Sequence, residues 1–246
     1  MRNIKLTIAY DGTDFGGWQV QPNAITVQQL LENRLEEMFR QKVKLVASGR
    51  TDAGVHALGQ VANFKADTKI DIEKLPIAIN SHLNNDIRVF SAEEVDEEFN
   101  SRFSAKKKTY KYQIYNSRIM NPFLSRYAYQ VPYNMDYSKI EDIRKILLGE
   151  HDFKAFMSSG SDVKTTVRTI YAVDYKLKGK LLEVEITGNG FLYNMIRIII
   201  GTLVEVCSGK RDVECFRRAI ETGNREELGP TAKACGLFLK EVMYSN

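Results

Sequence analysis

Ser48-Gly49-Arg50-Thr51-Asp52-Ala53-Gly54-Val55-His56-Ala57 follows a run, Val43-Lys44-Leu45-Val46-Ala47, that alternates like a half-buried strand. Gln60-Val61-Ala62-Asn63-Phe64 then reads as the returning strand. Two glycines bracket a guanidinium and a carboxylate, and glycine permits a sharp turn or close approach of another backbone. A polar turn at a strand end is a common seat for chemistry. Asp52 has a plain alternative role there, because an Asp ahead of Gly often caps its own turn through an Asx hydrogen bond. An Asp-x-Gly turn also fits aspartic proteases, which need a second carboxylate. No second Asp-Thr-Gly or Asp-Ser-Gly occurs, so only a symmetric dimer could supply it.

Outward from this stretch, element order suggests an α+β protein. Ile4 to Tyr10 alternates as a strand, and Asp11 to Gln19 is a turn-rich loop with the only Trp, Trp18. Thr26 and Gln29 form a capping box for a helix whose apolar face runs from Val27 to Phe39. A short helix is expected within 71–84 and a strand over 88–95. Tyr110 restarts the order of strand, loop, helix (136–148) and strand. Two halves, 1–104 and 105–246, are therefore expected. Val167 to Leu177 and Leu181 to Thr187 read as a hairpin about Lys178-Gly179-Lys180. An exposed helix over 212–222 and a closing strand over 236–242 complete the chain.

Two further stretches carry chemistry. Arg102 to Tyr115 mixes lysines with rings, and Tyr110, Tyr112 and Ile114 share a strand face. Bases could stack there while lysines hold phosphates. A solvated lysine run entering a tyrosine-rich strand explains the same residues. Phe191 to Val206 is apolar on nearly every face and reads as a buried helix containing Arg197. No acid lies within four residues of Arg197, and a buried guanidinium without a partner is costly. The expected partner is a distant acid or a ligand phosphate, unless the side chain points outward.

Composition narrows the function classes. The 246 residues are 43% hydrophobic with net charge +4, which supports a packed core and permits a polyanionic partner. Three scattered cysteines suggest reduced thiols in a cytoplasmic protein. No signal peptide, membrane-length apolar run, metal-ligand spacing or phosphate-loop glycine pattern is visible.

Tyr10-Asp11-Gly12-Thr13 with Gly17-Trp18-Gln19, Gly49 to Ala57, Tyr110 within Lys-Thr-Tyr-Lys-Tyr, and Gly190 to Arg197 together resemble the TruA family of transfer-RNA pseudouridine synthases. The likeness runs over nearly the whole chain. Where this chain has Tyr193-Asn194, some relatives carry two histidines. The resemblance implies a pseudouridine synthase-like fold: two related mixed α/β halves with antiparallel sheets flanked by helices, about a central cleft. It implies a cytoplasmic homodimer that acts on transfer RNA with no cofactor and no metal. The reaction would convert uridines 38, 39 and 40 of the anticodon stem-loop to pseudouridine. Asp52 matches the catalytic aspartate, Arg197 its pairing arginine, Tyr110 a substrate-contacting tyrosine, and Arg50 the arginine that helps displace the base. A non-catalytic RNA-binding module and an aspartic hydrolase are the competing classes.

Overall fold

A computed structural model describes residues 1–160 and 163–245. The chain divides into two compact units, residues 1–106 with 238–246, and residues 107–237. The sequence-based division at 104/105 put the closing strand in the second half. Residues 238–246 group instead with the first unit.

The first unit is built on β1 (Arg2–Tyr10), β2 (Val46–Ala47), β3 (His56–Ala66) and β4 (Ile87–Val95), with α1 (Val27–Phe39) and α2 (Leu75–Asn80). β1 lies antiparallel to both β3 and β4, with Ile4 opposite Phe64 and Glu94. The other edge of β3 is shared. β2 pairs antiparallel at Ala62 and Asn63, and β10 (Leu237–Met243) pairs parallel at His56 and Ala57. β2 is therefore shorter than the run from Val43 suggests, and the β2–β3 hairpin cannot zip up to a tight turn. β10 occupies the edge of β3 that residues 48–55 would otherwise pair with. That segment leaves the sheet as a wide loop, and it carries Asp52.

Helix α1 starts where the capping signal places it. The Thr26 hydroxyl accepts the Gln29 amide at 3.3 Å, and Val27, Leu31 and Leu35 are buried. Phe39 meets Phe64 of β3 with ring centroids 5.8 Å apart.

The second unit has β5 (Lys107–Asn116), β6 (Tyr129–Val131), β7 (Gly149–Asp152), β8 (Val167–Lys178) and β9 (Leu181–Gly188). β9 lies antiparallel between β5 and β8, β7 extends the β8 edge, and β6 runs parallel to β5. Each unit thus has mainly antiparallel strands with one parallel pair, in keeping with the expected mixed α/β halves. The β8–β9 hairpin closes at Gly179, whose φ of +60° suits glycine.

The helices are α3 (Lys139–Leu147), α4 (Met195–Cys207) and α5 (Cys215–Thr222). On α4, Met195, Ile196 and all of residues 198–207 except Glu205 are apolar or small and buried. The helix begins at Met195 rather than near Phe191, because Asn194 takes a left-handed backbone at φ 62°. α5 is not wholly exposed. Cys215, Phe216 and Ala219 are buried, and Phe216 stacks on Phe156. No helix of the described residues is long and apolar enough to cross a membrane.

Candidate active site

The turn that carries Asp52 is held by its backbone from three sides. At its entry the Ser48 amide donates to Val61 O at 2.8 Å, and the Ser48 hydroxyl donates to Gln60 Oε1 at 2.8 Å. Gln60, fully buried, returns a bond from Nε2 to Gly49 O at 2.9 Å. In the middle, Thr51 shares a 2.7 Å hydroxyl–hydroxyl bond with buried Tyr10. Burial pushes the Tyr10 phenol well above its ordinary range, and the bond to Thr51 draws it partly back. Thr51 O also accepts the Trp18 amide at 3.0 Å. At the exit the Val55 amide closes a turn onto Asp52 O at 3.1 Å, with Gly54 at φ +74° in the position that needs glycine.

The loop after β1 packs directly on this turn, and two glycines make the approach possible. A Cβ on Gly17, at φ +94°, would lie 2.6 Å from Thr51 O, and one on Gly12 would lie 1.9 Å from Val55 O. Gly12 N–H donates to His56 Nδ1 at 3.0 Å. An amide is an obligatory donor, so Nδ1 accepts there. Asp11 Oδ1 lies 3.1 Å from the same nitrogen and accepts instead from the Thr13 amide and hydroxyl, at 3.0 and 2.5 Å. His56 is buried against Phe238, ring centroids 4.7 Å apart. It is a packed core residue on β3. Within this frame the Asp52 side chain is half-buried and Arg50 is exposed.

The second unit carries the other two expected residues. Tyr110 lies on β5 opposite Ile186, half-buried, with its ring edge-on to Phe191 at 5.3 Å and 89°. The face expected to bear stacking rings divides by depth. Tyr112 and Ile114 are core, and the Tyr112 hydroxyl donates to Lys233 O at 2.6 Å. Burial raises the Tyr112 phenol, and nearby Arg197 opposes that shift. Tyr112 is thus structural, whereas Tyr110 is only half-buried.

Arg197 is half-buried in the first turn of α4. Its Nε donates to Ala232 O at 2.8 Å, and Nη1 donates to Asn194 Oδ1 at 2.8 Å. The sequence reading sought an acid or a phosphate; these two neutral oxygens are partners it did not consider. It named Asn194 only within Tyr193-Asn194, as a difference from some relatives, and did not foresee its bond to Arg197. It also missed Gln60, Tyr10 and the tight Gly17–Thr51 approach, which depend on contacts remote in sequence. The short segment 191–194 serves both residues, since Phe191 supports Tyr110 and Asn194 holds Arg197.

Among the described residues, no three His, Cys, Asp or Glu side chains come together to hold a metal ion. Chemically, the first unit offers a half-buried carboxylate on a rigid turn. The second offers a supported ring and an oriented guanidinium.

The family described as tRNA pseudouridine synthase matches residues 6–104 and 143–245. The chain is 46% identical over 244 residues to tRNA pseudouridine synthase A of Caldicellulosiruptor saccharolyticus, covering 99% of this chain and 100% of that one. The same name, identity and coverage hold for the protein of Acetivibrio thermocellus. The Bacillus pumilus protein of that name is 46% identical over 245 residues, covering 99% of each chain. A chain in the crystal structure of a Cbf5-Nop10-Gar1 complex aligns over 92% of this chain and 60% of its own length, at 13% identity and TM-score 0.38.

Proposed function

The chain belongs to the family of tRNA pseudouridine synthases, isomerases that convert uridine in tRNA to pseudouridine, and from that premise we propose that Asp52 is its catalytic carboxylate. One observation carries the assignment. Asp52 is the half-buried acid on a turn whose backbone is held from three sides, within the residues that the family matches.

The reaction breaks the uridine N1–C1′ bond, turns the uracil, and joins C5 to C1′. C5 loses a proton and N1 gains one, so the product is an isomer. Nothing is oxidised or reduced, which suits a reaction without cofactor or metal. Asp52 acts on the sugar, either adding to C1′ or removing the C2′ proton to give a glycal. The base must first leave the stack, at a cost of about a few kcal/mol. We assign displacement of the base to exposed Arg50 and stacking on the flipped uracil to Tyr110. Arg197 serves as the cation paired with the Asp52 carboxylate. The target is the anticodon stem-loop at positions 38, 39 and 40, and the acting species is a cytoplasmic homodimer.

The test is tritium release from tRNA labelled at uridine C5, under single-turnover conditions. Asp52→Asn keeps the shape but is neither nucleophile nor base. It releases no tritium while its melting temperature and tRNA affinity stay those of the native protein. Product from Asp52→Asn sinks the assignment. Release by the native chain separates this reading from a mere RNA-binding module and from an aspartic hydrolase. Sedimentation tests the dimer against a monomer of 28.1 kDa.

A further inference from the structure

The residue at the head of α4 behaves unlike a helix cap. Asn is a favoured N-cap because its side-chain oxygen accepts an amide of its own first turn. Asn194 makes no such bond, although it holds the N-cap position. Its backbone sits at φ 62°, ψ 5°, in the left-handed region that costs a non-glycine residue energy. Its amide group is turned to two other side chains. Oδ1 accepts from Arg197 Nη1 at 2.8 Å, and Nδ2 donates to Ser158 Oγ at 3.0 Å. The Ser158 amide in turn donates to Tyr193 O at 3.2 Å, so the 158 segment is tied to the residue before Asn194 as well.

With Ala232 O on Nε and Asn194 Oδ1 on Nη1, two edges of the guanidinium are anchored within this unit. A planar fork fixed at two atoms keeps one direction for its remaining N–H groups. We propose that Asn194 is a positioning residue for the isomerisation: it forgoes capping α4 in order to aim Arg197. This rests on the catalytic reading of Arg197. The strained backbone fits the idea, because local strain tends to persist where the surrounding structure requires one geometry.

The left-handed backbone makes the test clean. Asn194→Gly removes the acceptor and relieves the backbone, so the helix start is preserved. Asn194→Asp keeps an oxygen at the same place and tolerates the same φ. The prediction for Asn194→Gly is a single-turnover rate lower by about 10²-fold, the scale of a small misplacement at a reacting centre. Its tRNA Kd and melting temperature stay near the native values, and Asn194→Asp recovers most of the rate. Arg197→Met is assayed beside them. If Arg197→Met is slow and Asn194→Gly runs at the native rate, the proposal is overturned and the reading of Arg197 stands. If Arg197→Met itself runs at the native rate, the reading of Arg197 has failed, and the proposal with it. A fold defect is separated by the double variant. If Asn194 acts through Arg197, adding Asn194→Gly to Arg197→Met slows the reaction no further. An equal further loss in the double variant overturns the proposal.

Discussion

At the scale of single residues, the Asp52 turn depends on side chains that are absent as much as on those present. Gly17 lies against Thr51 O with no room for a methyl group, at a φ that L-residues avoid. Gly17→Ala is expected to lower stability by about 1–3 kcal/mol. It should also slow isomerisation at temperatures well below the melting point, because the turn must move. An unchanged melting temperature and rate would show that the loop yields freely. The thiols offer a second prediction. Burial pushes Cys215 from 9.0 to about 11 and Cys207 from 9.0 to about 12. Below pH 9 these thiols keep their protons in both native and unfolded chains, and add no pH dependence. Above it the unfolded chain releases protons that the native one retains, so stability falls as pH rises towards the native values. The denaturant midpoint should therefore drop between pH 9 and 11, and less so in a Cys207→Ala, Cys215→Ala variant. Equal slopes in the two proteins would refute the assignment.

At the scale of elements, α4 is closely packed against the segment at Pro230. Gly201 faces Pro230 so closely that a Cβ would lie 1.7 Å from its carbonyl oxygen. The segment beyond Pro230 is bonded to α4 twice more. The Ala232 amide donates to Arg197 O at 2.9 Å, and its carbonyl accepts from Arg197 Nε. Gly201→Ala must push this segment away, which is expected to cost about 1–3 kcal/mol as an overpacked contact. One anchor of the Arg197 guanidinium moves with it, so the single-turnover rate should fall as well. A native melting curve for Gly201→Ala would mean that the segment adapts without loss. The hairpin of β8 and β9 contrasts with α4, since a Cβ on Gly179 would meet nothing within 4 Å and only the φ selects glycine there.

For the whole molecule, a net charge of +4 is too small to dominate RNA binding by itself. Local clusters must supply the phosphate contacts. Lys106, Lys107 and Lys108 straddle the division between the two compact units. The Lys107 ammonium lies 5.4 Å from the ring centre of Tyr171, and Lys106 is exposed. The logarithm of the tRNA affinity should fall linearly with the logarithm of salt concentration, each phosphate contact adding about 0.7–0.9 to the slope. Replacing the three lysines by Ala is expected to weaken binding and reduce that slope. The salt dependence of Kd, measured for both proteins, decides the matter. An identical slope would assign the run to strand entry and solvation.

Local signals in the sequence determined much of this protein. The capping Thr26 and the period of α1, the alternation of β1, and Lys178-Gly179-Lys180 at a hairpin are all legible, because each depends on neighbours a few residues away. The Asp52 stretch is legible as a turn for the same reason, and its match to a known family supplied the reaction. What surrounds that turn is not local. β10 takes the edge of β3 at His56 and Ala57, which keeps 48–55 out of the sheet, and no periodicity in 237–243 names its partner. The depth of Tyr112 beside Tyr110, the Gly17–Thr51 contact and the turning of Asn194 from its own helix to Arg197 are of the same kind. A side chain's pattern in sequence says which face of an element is apolar. Which atom it meets depends on chain brought together from far along the sequence, and only the folded structure sets that.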